Sequence, residues 1–420
     1  MPVFAFIKDC LSLVTTALLL LCGLFLCVRL RAFALLHPAR VLKVAFKGEK
    51  NRKETVKAFT LALAGTLGVG NIAGVALAIF YGGAGALFWM WVCGIFAMFL
   101  KYAEISLALA DKAEGGNGFG YIARAFGGKK APLALFAFAM LALSFSMGAM
   151  IQSNAIASTA SANLSISPIL TGGLLFLLTF AVIFGGLKRI SSVTLRLVPL
   201  ASALYVAMCL LVLFCRFDAI GDAFARIFAS AFESRAGVFG VLGFLFSRAF
   251  RQGGMCGLLS NEAGCGTAPL AHATASGAAP ARQAVWGIFE VFADTMILCT
   301  LTGLTLLVSM DKVPMGAKGM EAVCAVFSSF FGAAGGALLL FCVCLFAFAT
   351  ILCWSFYGVR ALSFFTQNEK SRKRYLLAFC LCTGLGALFA PSFVFTLTDV
   401  LLSFMTVLHV WVLFIESSKV

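Results

Sequence analysis

The chain has 420 residues, of which 62% are hydrophobic and 12% charged, with a mean hydropathy of +1.02. A soluble domain carries roughly 25% charged residues, so the composition excludes one and indicates a bundle of membrane helices. The net charge of +15 does not mark a nucleic-acid binder, because the basic residues fall in short loops between apolar runs, the pattern that orients a membrane protein.

A first apolar run covers about 10–28 and is followed by Arg29 and Arg31, not by a small-residue cleavage site, so no cleavable signal peptide is expected. Spans of the length a bilayer requires follow at about 57–80, 84–110, 132–160, 168–186 and 195–215. The segment at about 217–235 holds Asp218, Asp222, Arg226, Glu233 and Arg235; it is too polar to span and belongs at the surface. The second half offers about 238–276, 281–310, 332–363, 375–390 and 393–415. The expected fold class is an all-α integral membrane protein of about eleven transmembrane helices. Its organisation is an N-terminal helix with a basic loop (1–56), a five-helix repeat (57–216), an external surface segment (217–237), and a second five-helix repeat with a short tail (238–420). The fifteen cysteines lie mostly within apolar runs and form no framework, as expected of buried thiols acting as small hydrophobes.

Two of the spans are interrupted. Residues 65–71 read Gly-Thr-Leu-Gly-Val-Gly-Asn, and residues 260–267 read Ser-Asn-Glu-Ala-Gly-Cys-Gly-Thr. Each glycine costs a helix about 1 kcal/mol relative to Ala, and inside a bilayer the freed backbone groups must find partners. Each set of five spans begins with its interrupted helix. Five is odd, so the two halves enter the membrane from opposite sides, an inverted repeat with its binding site at the paired breaks.

The basic residues set the orientation. With the N-terminus outside, the cytoplasmic side receives Arg29, Arg31, Arg40, Lys43, Lys47, Lys50, Arg52, Lys53 and Lys57. Lys112, Arg124, Lys129, Lys130, Lys188, Arg189, Arg196, Arg282, Lys370, Arg372, Lys373 and Arg374 fall on the same side. The outer side keeps Lys8, Arg216, Arg226, Arg235, Lys312 and Lys318. The expected location is the inner (plasma) membrane, multi-pass, with the C-terminus cytoplasmic.

Several motifs carry a family resemblance: Thr66–Ala76 (TLGVGNIAGVA), Phe88-Trp89-Met90-Trp91, Lys101-Tyr102-Ala103-Glu104 and Leu259–Ala273 (LSNEAGCGTAPLAHA). Glu290–Thr295 (EVFADT) and Phe346–Gly358 (FAFATILCWSFYG) add to it. Together they resemble the alanine/glycine:cation symporter family over most of residues 30–415. The resemblance implies a LeuT-like five-plus-five core preceded by an extra helix, and cation-driven uptake of alanine or glycine.

A small zwitterion presents a carboxylate, an ammonium and little side chain. Amides at a half-helix N-terminus suit the carboxylate, and the first break would offer Thr66, Gly68, Gly70 and Asn71. Carbonyls of the second break would suit the ammonium, at Ser260, Asn261, Glu262, Ala263 and Gly264. The alternative for the glycines is close helix packing, for which Gly70 and Gly74 have the spacing. Glu262, the only carboxylate in either break, would meet the ammonium, hold a cation, carry a proton, or cap amides of the unwound segment. Gln152 lies mid-span among polar neighbours, lining either a cavity or a helix contact, and Trp354, one turn after Thr350, is a candidate wall. The pairs Glu290/Asp294 and Lys101/Glu104 read as interhelical fasteners or gate elements, and Arg248 and Arg251 as partners of acids at the outer mouth or as snorkelling residues. His37, His272 and His409 are scattered and suggest no relay.

By similarity to the second Na⁺ site of LeuT-like transporters, the cation would take carbonyls near Ala64 and Leu67 and face Phe346, Ala349 and Thr350. Ala349-Thr350 stands where the family usually has two adjacent hydroxyls, and Val69 where it has threonine. Gly116-Asn117-Gly118-Phe119 and Leu408-His409-Val410-Trp411 depart from it as well, so the resemblance alone does not fix the cation. Na⁺ is expected as the coupling ion because backbone carbonyls of the broken helix remain available, with H⁺ carried by Glu262 the alternative. No organic cofactor is expected. The expected partners are a small neutral amino acid and membrane lipid, with the protein a monomer. No H-E-x-x-H, G-x-S-x-G or Cys/His cluster suggests an enzyme, and a passive channel would repeat its polar groups by oligomer symmetry.

Overall fold

The structure is a computed structural model that describes residues 2–46, 52–113, 119–232, 248–275, 279–389 and 391–420. Its regular elements are all helical. Helix α1 covers Pro2–Arg29. The first interrupted helix consists of α2 (Arg52–Thr66), a 3₁₀ turn (Val69–Asn71) and α3 (Ala73–Gly82). Then come α4 (Gly85–Ala113), α5 (Lys130–Leu164), α6 (Pro168–Ile183) and α7 (Gly186–Cys215). The surface helix is α8 (Ile220–Ala231). The second half has α9 (Arg248–Asn261), α10 (Ala268–His272), α11 (Pro280–Leu307), α12 (Met320–Phe331), α13 (Ala333–Phe365), α14 (Glu369–Gly386) and α15 (Pro391–Glu416).

Six helices among the described residues are long and apolar enough to cross a membrane, and the bent pair α2/α3 makes a seventh. This is fewer than the eleven spans expected, for local reasons. Helix α6 is apolar but has only 16 residues, Pro168–Ile183. Helix α14 opens on Glu369-Lys370-Ser371-Arg372-Lys373-Arg374, and α9 carries Arg248, Arg251 and Gln252. Helix α12 lies in a stretch that the sequence left between spans; it is apolar but only 12 residues long. The surface segment is helical as well. In α8, Ala223, Ile227 and Ala231 face the protein while Phe224 and Phe228 are exposed, the two-sidedness of a helix lying at an interface. Expectations for Glu233, Arg235, 238–247 and Gly116-Asn117-Gly118 lie outside the described residues.

Two long helices change pitch inside the bundle. Helix α5 runs as a π-helix over Ser144–Ile151 and α11 over Phe292–Cys299. Such segments widen the turn and re-aim side chains, and they are frequent at functional sites. Around the breaks, α9 packs on α3 and α4, α11 on α4, and α13 on α2, α5 and α7. The described cysteines are free.

Candidate functional site

The first helix stops where its glycines begin. Leu67 N makes the last helical bond, to Leu63 O at 2.7 Å, and the chain bends by 61° before α3. Gly68 is extended, with φ −140°, so its backbone does not demand glycine. Space does: a Cβ there would lie 3.0 Å from Thr350 Oγ1 and 3.2 Å from Gln152 Oε1. Its N–H donates to Asn71 Oδ1 at 3.1 Å, so that amide is engaged within the break. Val69 N points at Gln152 Oε1 from 3.5 Å.

Asn71 ties the two breaks together. Its amide nitrogen donates to Ser260 Oγ at 2.9 Å and to Asp294 Oδ1 at 2.6 Å. The Ser260 hydroxyl and the Thr295 hydroxyl both donate to Asp294 Oδ2, the second at 2.9 Å. Asn261 reaches Thr295 Oγ1 at 3.1 Å and caps the next turn by accepting from Ala263 N at 2.9 Å. Asp294 is fully buried, and its hydrogen-bonding neighbours are all uncharged. The sequence paired it with Glu290 as a fastener. Four residues place the two acids about one turn apart along α11, and that step takes Asp294 to the breaks while Glu290 meets Lys101.

The second break is built on left-handed backbone: φ is +52° at Glu262 and +78° at both Gly264 and Gly266. The glycines take that conformation without the strain a Cβ brings. Added Cβ atoms would also meet Leu19 at 2.6 Å and Phe136 at 2.8 Å. Neighbouring helices satisfy the freed backbone. Gly266 N donates to Glu104 Oε2 at 3.0 Å, and His409 Nδ1 donates to Gly264 O at 2.9 Å, leaving Nε2 to accept from Tyr121 Oη at 2.7 Å. His409 thus ties the break to α15, a role that no spacing in the sequence announces. Glu262 Oε2 accepts from Thr267 Oγ1 at 2.8 Å within the break.

Thr350 meets the opposite side of Gly68. Its hydroxyl lies 3.2 Å from Leu67 O and 3.1 Å from Phe346 O, bringing three hard oxygens of the expected cation set together. Ala64 and Ala349 are buried beside them and bring no side-chain oxygen. Thr66 is buried with its hydroxyl turned back on Ala62 O and Leu63 O, both at 3.5 Å, and Gly70 is half-buried in the 3₁₀ turn. Gln152, just past the π segment of α5, also donates to Met147 O at 3.3 Å. Trp354 is fully buried against Gly148, and its indole nitrogen has no protein partner.

Below the breaks, Lys101 Nζ lies 2.9 Å from Glu290 and 3.9 Å from Glu104. His272 Nε2 lies 3.2 Å from Glu290 Oε2, and its Nδ1 is 2.9 Å from the Gln283 amide. This polar layer joins α4, α10 and α11, so Lys101 and Glu290 fasten helices together. Arg251 lies on the opposite half of α9 from the break.

The sequence matches the profile of the sodium:alanine symporter family over residues 2–420. It is 36% identical over 402 residues to the sodium/alanine symporter AgcS of Methanococcus maripaludis, covering 91% of this chain and 87% of that protein. It is 30% identical over 413 residues to the probable sodium/glutamine symporter GlnT of Bacillus subtilis, covering 96% and 85%. The putative sodium/proton-dependent alanine carrier protein YrbD of Bacillus subtilis is also similar, at 30% over 399 residues, covering 89% and 81%.

Proposed function

This chain belongs to the sodium:alanine symporter family, and from that premise we propose that it imports a small neutral amino acid, alanine or glycine, with Na⁺. It is a multi-pass membrane protein whose family is one of cation-coupled amino-acid symporters. The substrate carboxylate meets the first break, at Gly68, Gly70 and Asn71, with Gln152 as a second donor and Trp354 as the apolar wall. The ammonium meets Asp294 together with Ser260 and the carbonyls of Asn261, Ala263 and Gly264. Na⁺ is held by Leu67 O, Phe346 O and Thr350 Oγ1, beside Ala64 and Ala349.

One observation carries this reading: Asn71 of the first break and Ser260 of the second converge on the buried carboxylate of Asp294. A polar junction between two interrupted helices is where a zwitterion finds both dipole ends and a counter-charge. The crowding of Gly68 against Thr350 and Gln152 favours a substrate with almost no side chain. GlnT is described as a glutamine symporter, so family membership alone leaves a larger amide substrate as the competing reading.

The helix contacts support an inverted repeat, and the distribution of basic residues supports an N-terminus outside. Counting five from α2/α3 and five from α9/α10, the first four spans of one half pack on their counterparts in the other: α3 on α9, α4 on α11, α5 on α13, and α6 on α14. The cross pairs correspond as well, since α5 packs on α15 as α13 packs on α7. A reconstituted uptake panel of twenty amino acids, with and without a Na⁺ gradient, tests the reading. Na⁺-stimulated uptake of alanine or glycine supports it, and uptake indifferent to Na⁺ or selective for glutamine overturns it.

A further inference from the structure

Among the described residues Lys101 is the one buried lysine or arginine, yet Glu104, Glu262, Glu290 and Asp294 are each no more than 1% exposed. Three of these carboxylates differ from the fourth in how they are satisfied. Glu290 has Lys101 at 2.9 Å and His272 at 3.2 Å. Asp294 accepts from Asn71, Ser260 and Thr295. Glu104 accepts from Gly266 N at 3.0 Å through Oε2, which His409 approaches at 3.7 Å; its Oε1 makes no hydrogen bond but has the Lys101 ammonium at 3.9 Å. Glu262 has one hydroxyl, Thr267, and its Oε1 has no hydrogen-bond partner. An ionised carboxylate with an unpaired oxygen in a buried, largely apolar setting is strongly unfavourable, while the neutral acid is far less so.

Resting on the symporter reading above, we propose that Glu262 is a proton-binding site: it holds one exchangeable proton while the second break is packed as seen here and releases it when the break opens. The step is Glu262 carboxylate plus a proton giving the carboxylic acid, with no other reactant. Several titratable groups face it among the described residues. Lys101 comes from α4, and Glu290 and Asp294 from α11; Glu104, His272 and His409 stand one contact further out, on Lys101, Glu290 and Glu104 respectively. Cys353 and Tyr357 come from α13, and Cys265 from the break itself. The first break, residues 65–71, contributes no titratable side chain. Lys101 is the single cation in that shell and is already committed to Glu290. The placement of Glu262 at a left-handed residue in a break that must move for access makes its protonation sensitive to that movement.

The test uses the full chain in two measurements. Infrared difference spectra of purified wild type against Glu262→Gln should show a protonated-carboxyl band that is lost in the variant and shifts in D₂O. If the variant is not monodisperse, Glu262→Asp should retain the band. In proteoliposomes with a trapped pH dye and equal Na⁺ on both sides, alanine should acidify the lumen for wild type and not for Glu262→Gln. Absence of the band, or acidification undiminished in Glu262→Gln, overturns the proposal. Labelled-alanine counterflow by wild type separates the two readings: without counterflow the symporter reading fails, while the infrared band still decides whether Glu262 is protonated.

Discussion

Asn71 and Asp294 are 223 residues apart in the chain, and the Asn71 amide donates to Asp294 Oδ1 at 2.6 Å. Ser260 joins the same carboxylate from the second broken helix. A buried acid surrounded by uncharged donors is suited to an organic cation that comes and goes, whereas Glu290 has a permanent one in Lys101.

Asp294→Asn should therefore weaken alanine binding while the protein stays folded. Removing one partner of a buried charge pair costs about 2–5 kcal/mol, or roughly 30-fold to several thousand-fold in affinity. Alanine-induced thermal stabilisation of the purified variant measures it. Unchanged stabilisation would show that Asp294 only ties the breaks together.

Gly68→Leu should abolish substrate binding without unfolding the protein. Even a Cβ at Gly68 would press on Thr350 Oγ1 and Gln152 Oε1, and a leucine would fill the space between the break and α13. The expected result is normal expression and monodispersity with no thermal shift on adding alanine or glycine; retained affinity would mark Gly68 as a packing residue.

Both breaks were legible in the sequence because glycine clusters with Asn or Glu have no reason to sit in an apolar helix. Tertiary partners were not. Gly68 was expected to present its amide to a ligand, but Asn71 Oδ1 accepts from it in this structure. His409 looked isolated because its partners, Tyr121 and Gly264, come from elements remote in sequence. The π segments of α5 and α11 carry no compositional mark. Periodicity located Asp294 on a helix face but not the helix that face meets.

Lys101→Met should destabilise the protein more than Lys101→Met combined with Glu290→Gln. Breaking a buried pair leaves an uncompensated charge and costs about 3–5 kcal/mol, whereas neutralising both partners removes most of that penalty. Unfolding temperatures of the three proteins in one detergent measure the difference. A double variant no more stable than Lys101→Met would mean that Glu290 does not need its lysine, with His272 alone sufficing.

Thr350→Ala bears on the coupling ion. The Thr350 hydroxyl lies beside Leu67 O and Phe346 O, and Ala349 offers no second hydroxyl. Losing one hard ligand costs on the order of 1–2 kcal/mol, comparable to a strong hydrogen bond. The Na⁺ concentration for half-maximal uptake should then rise about 5- to 30-fold. The alanine concentration needed at saturating Na⁺ should change much less, because Thr350 faces the cation side of Gly68. If instead both constants rise together, the hydroxyl serves the substrate wall. Should the Na⁺ requirement not move at all while a pH gradient alone drives uptake, Na⁺ does not bind at this corner and the proton at Glu262 is the driving ion.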